Sequence, residues 1–584
     1  MPTTLPTYTG EDTSLVALTG IELTDALLVG SKWGAEPAGN GASLTFSFPD
    51  SVAAFDTSPN VPGNYNPNEV TQSGFAPYLQ GFSPFSAEAQ EAAREVLQAW
   101  ANVANLVFTE VAADSVDAGV LRFANSAPPG LGATTYGVSS FPQDFAGAGD
   151  TWMNSGFVFP EGWAAGTQNF LTLLHEVGHA LGLKHPHDAG MGGNPGWPAD
   201  AVVLPFTGTD TLTTQSTQTM VMAYNDIPGL ASIGGLSVQS DFAPTTPMRY
   251  DIAAMQYLYG PNTTYNADDT VYTFDGNGRY NQTIWDAGGI DTIVATGTYS
   301  VTIDLGPGSW SKLGLPVTFS TRNPDLSVAE LQPQLTDPFT VFIYDTVTIE
   351  NAIGGDGNDV LIGNAVANWL QGGSGRDIIS GQGGNDVVDG GAGSDWLLLS
   401  VSTADVLAHP ADLVFVPGLL SRVGSSLGVV DLTGIERVRL TDGLYAFDTL
   451  APTQTDAGGK VWQAAALYRA GFGQVPNQAV LSQWTAQADQ VADMGDLGQA
   501  MINFYAPGVS NEGLVTHLYF MLAGVMPAPQ IVQTYAGLIG AGQQFETQGD
   551  LFAFAASLPE NTAQMPVDFV GSIQTLDATW FPLG

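Results

Sequence analysis

Three of the six histidines in this 584-residue chain fall in one short run, HEVGHALGLKH, from His175 to His185. On a helix, His175 and His179 lie four residues apart and project from one face, where both imidazoles reach a single ion. Glu176 adjoins the first of them, with its carboxylate beside the metal but not bound to it, placed to take a proton from water attacking a carbonyl. Gly182 permits the sharp turn that returns His185 as a third ligand. Three neutral protein ligands leave a fourth position for water, which is the pattern of a catalytic rather than a structural zinc site. The chain has no cysteine, so Cys-ligated zinc and a disulfide framework are both excluded.

A second pattern lies between 354 and 398: GGDGNDVLI, GNAVANWLQ, GGSGRDIIS, GQGGNDVVD and GGAGSDWLL, with a fixed nine-residue period. Glycines at positions one, two and four allow a tight turn that points carbonyl oxygens inward, and Asp at position six adds a carboxylate. The position-six residues are Asp359, Asn368, Asp377, Asp386 and Asp395, and an aliphatic follows two places later at Leu361, Leu370, Ile379, Val388 and Leu397. Stacked turns of this kind cage calcium, whereas a flexible linker would not hold the aliphatic in register. The second repeat departs from the pattern at Asn364 and Val366, so its site is the weakest.

These motifs require elements to position them. LTFSFP, ending at Pro49, and GVLRFAN, at 119–125, read as strands, and Val96, Leu97, Trp100, Val103 and Ala104 set an amphipathic helix over 86–106. The zinc motif sits on a helix over 171–183, ended by Gly182 and Pro186. A third helix spans about 247–259, between Pro247 and Gly260. Residues 1 to about 40 read as a mobile leader followed by a helical patch at DALLVG. Beyond 260 come short β segments, further strands at 400–450, and helices over 460–560 in which LYRAG is echoed by HLYFMLAG.

Acidic residues number 57 against 14 Lys plus Arg, a formal charge of −43 that disfavours nucleic acid and anionic membrane as partners and favours cations. The first basic residue is Lys32, so the N-terminus lacks a cleavable export signal, and no apolar run is long enough to span a membrane.

The longer spacing HExxHxxGxxH is the metzincin motif. Together with DALLVGSKW, WANVANLVFTEV, GDTWMN, MVMAY, PMRYDIAAMQYLYG, TIWDAGGIDT, VTIENAIGG and the nonapeptides, it makes the chain from about 25 to 398 resemble the serralysin family of secreted bacterial metalloproteases. The resemblance implies that His175, His179 and His185 hold zinc, that Glu176 is the general base, and that Met222 forms the Met-turn beneath the metal. It implies that Tyr224 ligates zinc and swings to stabilise the oxyanion. For calcium it implies Asn266, Asp268 and Thr270, then Asp286, Gly288, Gly289 and Asp291, then Thr348 and Glu350. Within the repeats it implies Gly355, Gly357 and Asp359, with the equivalents Asn368, Gly373, Gly375, Asp377, Gly384, Asp386, Gly391, Gly393 and Asp395. The segment between His185 and Met222, rich in Gly, Pro and Thr, departs from the family and is expected to line the substrate cleft. His187 is expected to face solvent, and His409 and His517 to be ordinary structural or surface residues.

The expected architecture is an α/β metzincin domain at 25–260 after a leader or propeptide at 1–24, then a calcium-binding parallel β-roll at 261–398. A β-rich extension at 399–455 and a mostly α-helical C-terminal domain at 456–584 follow. The helical part resembles, through ALYRAGFGQVP and Trp484, a domain of unknown function in secreted and surface proteins of bacteria. The implied function is a monomeric extracellular zinc endopeptidase acting on proteins, calcium-stabilised, and exported unfolded by a one-step machine that reads an uncleaved C-terminal segment. The alternative is a calcium-dependent surface or adhesion protein, in contact with a bacterial surface layer, whose peptidase activity is accessory or self-processing.

Overall fold

The computed structural model describes residues 13–55, 57, 65, 76–113, 119–132, 135–188, 216–224, 232–233, 236–322, 328–416, 419–451, 458–566, 569 and 573–576. They divide into two compact units, one of residues 1–270, 277–291 and 307–348, the other of residues 271–276, 292–306 and 349–584.

In the first unit, strands β1 (Ala42–Ser47), β2 (Leu106–Glu110), β3 (Leu121–Ser126), β4 (Gly137–Ser139) and β5 (Thr151–Met153) form a sheet in the order β2-β1-β3-β5-β4. All neighbours pair in parallel except β4, an antiparallel edge strand on β5. Helix α1 (Ala87–Val103) is capped by Ser86, whose hydroxyl accepts the Ala89 N–H at 3.2 Å. Its stripe of Val96, Leu97, Trp100 and Val103 is buried as the helical spacing requires. It stops before the expected 106 because Ala104 turns extended to start β2. Helix α2 (Gln168–Ala180) starts three residues earlier than expected, where the Thr167 hydroxyl accepts the Phe170 N–H at 3.3 Å, and lies against α1 and β4. Helix α3 (Arg249–Tyr259) closes at Gly260, with φ of +77°.

The N-terminal segment differs from a mobile leader. Thr13–Leu15 pairs antiparallel with Ser31–Trp33, and Tyr257 donates to Ala17 O at 2.8 Å. The helical turn is Glu22–Asp25, while Ala26 to Val29 are buried without being helical. Apolar burial, rather than helical period, explains the DALLVG patch. Residues 236–240, 317–322 and 328–337 add an antiparallel sheet that short-strand patterning did not reveal.

In the second unit, β6 (Val271–Asp275), β7 (Thr292–Thr296), β9 (Asn351–Ile353), β11 (Trp369–Gly375) and β13 (Asp386–Gly393) form one parallel ladder. The other contains β8 (Thr302–Asp304), β10 (Val360–Ile362), β12 (Ile378–Ser380) and β14 (Trp396–Leu398). Leu370 pairs with Val388, and Leu361 with Ile379 and then Leu397, so successive nonapeptides alternate between ladders. All five of these aliphatics are fully buried.

The coil does not stop at 398. After an excursion through a short helix (Thr403–Leu407) and a strand (Leu419–Ser425), β15 (Gly428–Thr433) pairs in parallel with β13, and β16 (Arg437–Leu440) with β14. Leu432 and Val438 take the inward places opposite Val388 and Leu397. The segment expected as a β-rich extension therefore supplies another coil, hidden because the nine-residue period is broken.

Among the described residues seven helices follow: α4 (Lys460–Phe472), α5 (Gln478–Ala488), α6 (Met494–Tyr505), α7 (Asn511–Ala523), α8 (Pro529–Ala536), α9 (Gln548–Ser557) and the one-turn α10 (Pro559–Thr562). The starts of α4 and α7, at 460 and 511, are 51 residues apart, as are those of α5 and α8, at 478 and 529. Left-handed glycines at 473 and 524, φ of +72° and +71°, end α4 and α7 identically, and Trp484 matches Tyr535 at the same offset. The LYRAG echo is thus an internal duplication. Among the described residues, no helix is long and apolar enough to cross a membrane.

Candidate metal centre

Helix α2 carries His175 and His179 on one buried face. Past its end, Gly182 has φ of +110°, and a Cβ there would meet Ser31 O at 2.6 Å, so the reversal requires glycine. That reversal returns His185, whose Nε2 lies 3.0 Å from Nε2 of both His175 and His179. The three rings have defined tautomers, because each Nδ1–H has an acceptor. His175 donates to Val221 O at 2.8 Å, His179 to Leu183 O at 2.7 Å, and His185 to Asp188 Oδ2 at 2.7 Å. Three Nε2 lone pairs are thereby left facing one point. Burial holds His175 down to about 4, His185 to about 3 and His179 well below its usual value, so all three are neutral donors. This donor set fits a tetrahedral zinc ion with one position open to solvent.

Glu176 is buried, and its Oε2 has no hydrogen-bond partner among the described residues. Burial raises its carboxyl to about 8, against a lowering hydrogen bond from Ser139 on the edge strand β4. Gly137 on the same strand makes the room, since a Cβ there would meet Glu176 Cγ at 2.8 Å. A desolvated carboxyl with one orphaned oxygen beside three convergent imidazoles has the chemistry of a general base.

Met222 is fully buried with its Sδ 2.6 Å from where a Gly178 Cβ would stand, so it packs against the middle of the histidine helix. Its turn is pinned to α3 by Asp251, whose Oδ2 accepts the N–H groups of Val221 at 2.6 Å and Met248 at 2.9 Å. Tyr224 stands exposed at the rim, its hydroxyl 3.4 Å from His185 Nδ1 and its ring centroid 4.3 Å from that imidazole. It is near the centre but not on the Nε2 side where the donors converge. His187 is exposed, as expected, and stacks on His185 at 5.2 Å. The cleft segment 189–215 lies outside the described residues.

Sequence reasoning missed the supports. Asp188, three residues after His185, was legible only as a spacing. Lys184 is buried, and its ammonium donates to Ala26 O, His185 O at 3.2 Å and Asp188 O at 2.9 Å, fixing the turn that carries the third ligand. No local signal marks Ser139 or Asp251.

In the repeats, the backbone N–H of each position-six Asp on one face donates to the carboxylate eighteen residues on: Asp359 to Asp377 and Asp377 to Asp395, both at 2.8 Å. Asp377 Oδ2 and Asp395 Oδ2 are buried without partners among the described residues. Burial raises Asp359, lifts Asp377 and Asp386 to about 7 and Asp395 to about 8. Gly355, Gly357, Gly373, Gly375, Gly384, Gly391 and Gly393 line these turns, and a Cβ on any of them would strike the preceding coil's backbone. Orphaned carboxylate oxygens in glycine cradles fit calcium.

Asn368 is different. Its Oδ1 accepts the Asn364 N–H, while its Nδ2 donates to Glu350 O at 2.9 Å and Asn364 Oδ1 at 3.1 Å. Asn368 Oδ1 still faces the Gly363 and Gly381 turns as Asp377 Oδ2 faces its own, but the amide brings no charge and its hydrogens replace the second carboxylate oxygen, so this turn offers a cation the least.

Outside the repeats, Thr270 N donates to Asp291 Oδ1 and Gly288 N to Asp286 Oδ1, both at 2.8 Å. A Cβ on Gly289 would meet Asp268 O and Asp291 Oδ1, each at 2.8 Å, and Asn266 has φ of +51°. This loop pair gathers its expected residues. Thr348 is exposed, and Glu350 offers its carbonyl to Trp369 N at 3.3 Å as well as to Asn368.

The fold and site together are those of a zinc-type peptidase domain followed by calcium-type repeats. Comparison with known proteins agrees. Residues 82–191 match the matrixin peptidase family, and 348–365 and 362–397 match the RTX calcium-binding nonapeptide repeat. The chain is similar to serralysin of Proteus mirabilis, 34% identical over 361 residues, or 57% of this chain and 61% of that protein. It is also similar to metalloprotease AprA of Pseudomonas entomophila strain L48, 35% over 317 residues (50% and 56%), and to serralysin C of Dickeya chrysanthemi, 34% over 345 residues (56% and 59%). The chain spans about 60% of the length of these relatives. These matches bear out the resemblance to serralysin-family metalloproteases, with zinc implied by the matrixin match and calcium by the repeats.

Proposed function

We propose that the protein is an extracellular, calcium-stabilised zinc endopeptidase acting on protein substrates. The observation that carries this reading is the convergence of three neutral Nε2 atoms beside Glu176, whose Oε2 has no partner among the described residues. Zinc, when bound there, supplies Lewis acidity that makes water nucleophilic and polarises a peptide carbonyl. His175, His179 and His185 would hold it, each oriented by its Nδ1 acceptor. Glu176 takes the proton from water as its oxygen adds to the carbonyl carbon, then delivers that proton to the departing amine as the C–N bond breaks. Tyr224, free at the rim, rotates its hydroxyl inward and donates to the oxyanion.

On this reading the peptidase occupies 25–260 after a leader or propeptide, the calcium roll follows, and export proceeds in one step under a C-terminal signal. The duplicated helices are a second surface, and exposed Phe520 and Met526 on and after α7 favour an accessory attachment role there.

The test is a casein digest of calcium-loaded protein. Glu176→Ala is expected to lower kcat/KM by about 10²- to 10⁴-fold with zinc content unchanged. Full activity in that variant refutes the mechanism, while activity lost but surface binding kept would favour the adhesion reading.

A further inference from the structure

The roll ends on a turn that no nonapeptide encodes, and its geometry continues the cation-binding series. In the repeats opening at Gly354 and Gly372, a Cβ built on the position-one glycine would collide with the carboxylate oxygen of its own position-six residue and with the carbonyl of the matching glycine one coil on. Gly372 faces Asp377 Oδ2 and Gly390 O in this way. Gly390 in turn faces Asp395 Oδ2, at 2.8 Å, and Gly434 O. Gly434 therefore stands in the position-one place although its surroundings, LTGIERV, share nothing else with the repeat.

The carboxylate ladder continues too. The Asp395 N–H donates to Glu436 Oε2 at 2.8 Å, as the Asp377 N–H donates to Asp395 Oδ1 at 2.8 Å one coil earlier. Strand register agrees, since Trp396 pairs with Arg437, placing Glu436 opposite Asp395. Only Ile435 separates Gly434 from Glu436, whereas four residues separate Gly390 from Asp395. The shortened turn explains why the longer Glu side chain occupies this rung. Asp395 is wholly buried, and its Oδ2 has no partner among the described residues. The adjoining Arg437 guanidinium is taken up by Asp448 and by Asp489, the latter at 2.9 Å.

We propose that Asp395 and Glu436, with backbone carbonyls of the Gly390 and Gly434 turns, form an additional calcium site that caps the roll beyond its nonapeptides. A hard dication with oxygen ligands satisfies the orphaned oxygen and offsets the repulsion between the buried Asp395 and the half-buried Glu436 carboxylates. The proposal rests on the calcium reading of the repeats.

Crystals of the unaltered full-length chain grown with Tb³⁺ in place of calcium decide it. An anomalous peak about 2.3 to 2.6 Å from the Asp395 and Glu436 carboxylate oxygens is expected, alongside peaks between Asp359 and Asp377. Peaks at the regular turns with none here overturn this site alone, and no peak at any turn overturns the calcium reading itself. In equilibrium dialysis, Glu436→Gln should bind one calcium ion fewer per chain with zinc content and casein hydrolysis retained, and Glu436→Asp should restore the count at weaker affinity. An unchanged count in Glu436→Gln refutes the proposal, and if that variant does not fold, the Tb³⁺ map of the unaltered chain gives the answer.

Discussion

At the scale of single residues, the centre is held by acceptors that the motif does not contain. His175, His179 and His185 are each fixed through Nδ1 by a different kind of oxygen: a Met-turn carbonyl, the motif's own backbone and the Asp188 carboxylate. On the proposed mechanism Tyr224 acts through its hydroxyl, so Tyr224→Phe should lower kcat by about 10²- to 10³-fold while KM and zinc content stay near their original values. Steady-state kinetics on a fluorogenic peptide reads that split, and a rise in KM alone would place Tyr224 in substrate binding instead. The three ligands and Glu176 were legible because helix geometry converts a spacing of four into a shared face. Ser139, Asp188 and Asp251 were not, because they are brought to the site by strand pairing, a turn and a helix cap, none of which leaves a periodic trace.

At the scale of elements, the roll is a stack of glycine turns whose carboxylates are destabilised until a cation arrives. Burial lifts Asp377 and Asp386 to about 7 and Asp395 to about 8, all from 3.8. The folded, calcium-free roll therefore holds protons that the unfolded chain has released, and its stability falls as pH rises from about 4 and is lowest above about 8. With chelator present, the thermal midpoint of the roll should be lower at pH 8 than at pH 5, and adding calcium near pH 6 should release protons to the buffer. A midpoint independent of pH refutes the assignment. The repeats themselves were legible to the residue, but the final coil was not, because inward Leu432 and Val438 persist where the glycine and Asp signals have lapsed. A chain ending at 446 should consequently keep its calcium-induced β signal in circular dichroism. One ending at 398 loses the final coil and the inward Leu432 and Val438 that pair against Val388 and Leu397, and should lose much of that signal or aggregate.

At the scale of the whole molecule, a charge of −43 opposes compaction, and calcium in the roll offsets part of that repulsion. On the proposed reading, zinc and calcium govern separate things, chemistry and foldedness. A preparation stripped of both should regain no activity with zinc alone and full activity with both, measured on casein, and recovery with zinc alone refutes the division of labour. The duplication of 51 residues was only faintly legible, since the shared features are two glycine caps and an aromatic pair rather than a run of identity. The excursion at 399–427 has a practical meaning as well. The coil resumes in parallel register on its far side, and Leu419–Ser425 of the excursion pairs antiparallel with β15, so the excursion itself forms the next strand of the sheet. A reporter dye on that strand would signal the closing of the last coil.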